Sequence, residues 1–178
     1  MGSSRARTAL AAMLVAAAAL LAACGGEDSE AEKDKGPTRP EYIAEVDALC
    51  KKTTRASQPT NRKLQALVNG SGTYSSRLKR ATPLLQKTYD LQKGKLDGVK
   101  SVEPPAADRP QVSKVLAASA KALEEFRGAI PIAQRGDLKE FIDIAFDANG
   151  LRQTAERLGT NYGFAEDCFA IPIDLGTL

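Results

Sequence analysis

The sequence predicts an all-α protein, an up-down four-helix bundle whose C-terminal tail is tied to the first helix by a disulfide. Three observations point there. Apolar residues recur at spacings of three and four along four long stretches, and no run alternates with the period of two of a half-buried strand. Helix-breaking punctuation at Asn69-Gly70, Pro104-Pro105 and Gly136-Asp137 separates these stretches by short connections. Cys50 falls in the first stretch and Cys168 near the end of the chain.

The first helix opens at Pro40, a residue suited to a first helical turn, and puts Ile43, Val46, Leu49 and Cys50 on one face. A separate short piece is expected after Pro59, carrying Leu64, Leu67 and Val68 and stopping at Asn69-Gly70. The second long helix begins near Thr73 and presents Tyr74, Leu78, Ala81, Leu85, Leu96 and Val99. Pro83 is expected to kink or divide it, or to open a new helix. Asp108 is placed to cap a third helix with Pro110 in its first turn. Its stripe is Val112, Leu116, Ser119, Leu123, Phe126 and Ile130, and Pro131 and Gly136 end it. Asp137 and Glu140 have the spacing of a capping box for the fourth helix. That helix presents Phe141, Ala145, Ala148, Ala155 and Leu158, is weakened at Asn149-Gly150, and closes at Gly159. Tyr162-Gly163-Phe164 begin a tail that folds back to bring Cys168 to Cys50. Residues 40–178 suit one domain, with few aromatics and a core resting on Leu, Ile, Val and Ala.

Residues 1–23 have the parts of an export signal. Arg5 and Arg7 give a positive start, Ala9 to Leu21 an apolar core, and Ala22-Ala23 a small-residue exit. The apolar core falls short of the roughly 20 residues that a membrane span needs. Leu21-Ala22-Ala23-Cys24 resembles the lipobox of bacterial lipoproteins. The resemblance implies a diacylglycerol thioether on Cys24, removal of residues 1–23, and residence on the outer face of the cytoplasmic membrane. Two or more acyl chains anchor stably, each buried CH₂ contributing about 0.8 kcal/mol. Residues 24–39 are polar and without large apolar side chains, and read as a disordered tether. With Cys24 given to lipid, Cys50 and Cys168 form an even pair in an oxidising compartment, so a disulfide is the expectation.

Beyond the signal the chain has no His, Met or Trp, since Met1 and Met13 both precede Cys24. Imidazole-based metal sites, His or Met haem ligation and His-activated nucleophiles are thereby excluded. No cofactor and no metal are expected. Ser76-Arg77-Leu78-Lys79 matches Ser-x-x-Lys, yet the companion motifs of penicillin-binding enzymes are missing. Gly94 to Ser101 lacks the spacing of a phosphate loop and no strand precedes it. Glu140, Asp143 and Asp147 lie along one helical face, which reads as a solvated surface rather than a carboxylate site.

Charge is segregated along the mature chain: residues 24–50 carry a net −5, residues 51–102 a net +10, and residues 103–178 a net −4. The dense part of the basic segment is Lys51, Lys52, Arg55, Arg62, Lys63, Arg77, Lys79 and Arg80. One reading is a surface for anionic lipid, where each Lys or Arg is worth roughly 1 kcal/mol, or for a phosphate-bearing wall polymer. The other, which we favour from sequence, is internal pairing of the basic second helix with the acidic fourth. Nucleic acid is not expected as a partner.

The chain resembles a loose group of uncharacterised small lipoproteins of actinobacterial type. The likeness rests on the lipobox, the acidic tether, Ala48-Leu49-Cys50, Pro104-Pro105, Gly136-Asp137, and Tyr162-Gly163-Phe164 with Cys168. The group has no assigned activity, so it implies no functional residue. The expectation is a non-enzymatic, lipid-anchored helical protein of the cell envelope that binds a wall or membrane component or serves a membrane complex. A small-ligand carrier with a cavity between helices is the alternative, and a carboxylate- or Ser/Lys-based wall hydrolase ranks last.

Overall fold

The structure, a computed structural model, describes residues 36–170. The expected signal segment 1–23, Cys24 and most of the expected tether lie outside the described residues. Four antiparallel helices follow one another: α1 (Arg39–Val68), α2 (Tyr74–Ser101), α3 (Arg109–Arg135) and α4 (Leu138–Tyr162). A single 3₁₀ turn, Ala106–Asp108, precedes α3, and no strand occurs among the described residues. The expected all-helical bundle and its Cys50–Cys168 bridge are both present, with 5.0 Å between the two Cα atoms.

Local chemistry fixes the helix ends. Thr38 caps α1 in a full capping box: its Oγ1 accepts from the Glu41 backbone N–H, and the Glu41 carboxylate accepts from the Thr38 N–H at 2.8 Å. Thr38 and Arg39, expected in the tether, therefore belong to the fold. Thr73 caps α2 and Asp137 caps α4 through the N–H of Ser76 and Glu140. Glu140 does not close a reciprocal box; its carboxylate accepts from Arg135 at 2.7 Å instead. Gly136 (φ 74°) and Gly163 (φ 115°) stop α3 and α4 in the left-handed conformation that glycine adopts without strain.

None of the three prolines expected to interrupt or end a helix divides or ends one. Pro59, Pro83 and Pro131 all lie inside continuous helices. All three are exposed. A helical proline frees the carbonyl four residues earlier, and on the solvent face water satisfies that carbonyl. The separate piece after Pro59 is thus the last part of α1. Likewise Gly159 lies inside α4, which runs on to Tyr162.

Two apolar clusters fill the interior. One gathers Leu64, Leu78, Leu85, Phe126, Ile130 and Phe141 at the end where α1 meets α2 and α3 meets α4. The other gathers Tyr42, Val46, Val99, Val115, Ala155, Phe164 and Phe169 at the end where the chain enters α1. Between them the buried positions turn polar, with Ser57, Thr60, Thr88, Gln92 and Lys95.

Candidate functional site

At the entry end a buried polar network replaces the helix cap expected of Asp108. The Asp108 carboxylate makes no capping bond to α3. It accepts from Arg39 Nε at 2.8 Å and from the Tyr162 hydroxyl at 2.9 Å. Arg39 also lies over the Tyr162 ring, 5.0 Å from its centroid. The bond from Arg39 holds the Asp108 carboxyl below the ordinary carboxylate range, against desolvation. Burial, aided by the bond to Asp108, pushes the Tyr162 phenol up to about 12. Both groups are thus fixed in charge near neutral pH, which suits a structural clasp joining the starts of α1 and α3 to the end of α4.

The tail lies against this clasp. Phe164 stands edge-on to Tyr42 and Phe169, at ring distances of 5.8 and 5.3 Å. Gly159 provides the room, since a Cβ there would lie 2.7 Å from the Phe169 ring. Lys95, buried in the polar layer, donates to the Cys168 carbonyl at 2.6 Å. Desolvation lowers its pKa to about 8 although Asp167 and Glu156 oppose the shift. The space beside Lys95, Gln92 and Ser119 is about 20 Å³, enough for about one water.

The eight cations expected to form one basic surface divide into three groups. Lys51, Lys52, Arg55, Arg62 and Lys63 are all exposed on α1. At 3.6 residues per turn they fall within an arc of about 120°, turned away from buried Val46, Cys50, Ser57 and Leu64. None of the five takes part in an ion pair among the described residues. Arg77 and Arg80 instead close the α1–α2 turn. Arg77 donates to the carbonyls of Val68 and Gly70 and stacks on Tyr74 at 4.2 Å, and Arg80 donates to the Ser71 carbonyl at 3.0 Å. They satisfy carbonyls at the helix C-terminus, where the backbone dipole also favours cations. Lys79 runs along the α3–α4 corner, where a Cβ on Gly136 would lie 2.5 Å from its Cε.

Pairing of α2 with α4 across a charged seam does not occur among the described residues. Six of the ion pairs there are local, within one helix or across one turn, and the seventh is Arg39–Asp108. α2 packs chiefly on α1 and α3. Two of the three acids in the α4 row are tied up locally, Asp143 by Lys139 at 2.8 Å and Glu140 by Arg135, while Asp147 takes part in no ion pair among the described residues. Ser76 and Lys79 are both exposed. Among the described residues no group of three or more His, Cys, Asp or Glu is placed to hold a metal ion, and no helix is long and apolar enough to cross a membrane.

Comparison with protein-family models, with curated proteins and with solved structures finds no match.

Proposed function

We propose that this chain is a lipid-anchored, non-enzymatic binding protein on the outer face of the cytoplasmic membrane, and that the exposed face of α1 engages an anionic envelope partner. The observation that carries the reading is the set of five α1 cations, exposed, on one arc, and without acidic partners among the described residues. Five like charges held together repel one another unless a counter-charge arrives, and surface ion pairs elsewhere show that this chain readily supplies local partners. The lipobox-like Leu21-Ala22-Ala23-Cys24 and the likeness to small actinobacterial lipoproteins support the location. In that setting the partner is an anionic phospholipid surface, a phosphate-bearing wall polymer or an acidic face of a membrane complex.

Two measurements test this. Labelling with radioactive palmitate tests the anchor: label is expected on the native chain and absent from Cys24→Ala, and label that survives the substitution refutes it. Sedimentation of the Cys24→Ala chain, which carries no acyl anchor, with phosphatidylglycerol vesicles and with isolated cell wall tests the surface. Binding is expected at low salt and is expected to fall steeply at high salt, where the screening length shortens to about 3 Å at 1 M. Absence of binding to both, at any salt, removes the phospholipid and wall-polymer partners.

A further inference from the structure

We propose that the groove between the last turn of α2 and the first turns of α3 binds a single-chain anionic amphiphile, an acyl chain ending in a carboxylate or phosphate. The groove measures about 360 Å³ and is walled by Pro104, Val112, Leu116 and Ala117. Small-molecule sites span about 300–1,000 Å³ and are mostly apolar with a few placed polar groups. Here the placed groups are two cations, Lys100 from α2 and Arg109 from α3.

Their chemistry selects the head group. Lys100 has no ion-pair partner among the described residues. Arg109 gives one bond to Glu103 Oε1 at 2.8 Å, and its guanidinium carries five N–H donors, so further donors remain for an incoming anion. Glu103 already answers part of the Arg109 charge, so an anionic head is drawn chiefly by Lys100 and by the remaining Arg109 donors, and a cationic head would be repelled. The apolar walls supply the complementary surface for the hydrocarbon. The site opens beside the clasp, since Arg109 directly follows Asp108. It shares no residue with the cationic face of α1, so this inference stands apart from the proposed function.

Calorimetric titration with dodecanoate, using the full chain with Cys24→Ala so that no acyl group of its own competes, tests the site. One dodecanoate is expected to bind per chain. Ala117→Trp, at an exposed position that fills the groove, is expected to weaken binding at least tenfold. The double substitution Lys100→Gln, Arg109→Gln is expected to weaken dodecanoate about tenfold while leaving the weaker binding of dodecanol unchanged. Both lie on exposed positions, and circular dichroism confirms the fold of each variant. Lys51→Glu with Lys52→Glu and Arg55→Glu is expected to leave dodecanoate binding intact, which separates failure here from failure of the α1 face. No saturable dodecanoate binding, or equal affinity in wild type and both groove variants, overturns the proposal. Dodecanol bound as tightly as dodecanoate by the wild type overturns its head-group selection.

Discussion

At the end where the chain enters, contacts that hold the bundle reach far along the sequence. The disulfide spans 118 residues, the Lys95–Cys168 bond 73 and the Asp108–Tyr162 bond 54. At the opposite end the polar links are local: Arg77 and Arg80 close a turn nine residues back, and Arg135 meets Glu140 five residues on. The apolar fillings differ too. The entry end stacks Tyr42, Tyr162, Phe164 and Phe169, while the far end is mainly Leu, Ile and Ala around Phe126 and Phe141. The difference teaches that the tail is a structural member. It fills space over Gly159 and is fastened by one covalent bond and two polar ones, Lys95 to the Cys168 carbonyl and the Ala165 N–H to Asp47. The far end needs no such fastening because sequence neighbours already meet across short turns.

The largest test of this contrast removes the bridge. Cys50→Ser with Cys168→Ser is expected to cost about 4–5 kcal/mol by the chain-entropy account of a loop this long, read from urea unfolding. Amide hydrogen exchange then decides between the ends. Protection is expected to fall first in 164–170 and the start of α1, and a uniform loss over both ends would break the contrast.

A second test uses pH. Lys95 has a folded pKa of about 8 against an ordinary 10.5, so the fold carries a penalty for the charged form that is fully present below pH 8. Between pH 8 and 10 the unfolded chain binds more protons than the folded one, and stability is expected to rise by about 2–3 kcal/mol. Above pH 10 the raised Tyr162 reverses the slope, because its phenol ionises in the unfolded chain before the folded one. Lys95→Met is expected to flatten the rise between pH 8 and 10. A rise that persists in that variant would place its origin elsewhere.

Glycines give the finest comparison. Gly159→Ala puts a methyl against Phe169 and is expected to destabilise by about 1–3 kcal/mol. Gly128→Ala, exposed with open space around it in α3, is expected to stabilise by about 0.4–1 kcal/mol through lost freedom in the unfolded chain. Thermal melts of the two variants should shift in opposite directions, and shifts of one sign would contradict the packing described for the tail.

Much of this fold was readable from spacing alone. Helical stripes, the helix start near Thr73, the Asp137 cap and the Gly136 stop rest on local chemistry, and the cysteine pair on cysteine count and the expected compartment. That Pro59, Pro83 and Pro131 neither divide nor end a helix was not legible, because their effect depends on which face they occupy, and all three face solvent. Asp108 was misread because its partners, Arg39 and Tyr162, stand 69 and 54 residues away. Lys95 left a legible trace, lying at helical spacing with Thr88, Gln92 and Val99, but a stripe drawn from apolar residues alone passes over it. Arg77 and Arg80 were counted as basic surface because composition does not reveal carbonyls waiting at a helix end. The groove at Lys100 and Arg109 left no sequence signal beyond the Pro104-Pro105 connection.

The central claim is that the position of charge on α1, rather than net charge, directs this protein to an anionic partner. Vesicle and wall sedimentation of two charge reversals, both made in the Cys24→Ala chain so that no acyl anchor contributes, tests it most directly: Lys51→Glu, Lys52→Glu, Arg55→Glu on α1, against Lys114→Glu, Lys121→Glu, Arg127→Glu on α3, which change net charge equally. The account predicts that the α1 reversal abolishes binding and the α3 reversal leaves most of it. Equal loss in both, or binding undiminished by the α1 reversal, would contradict it.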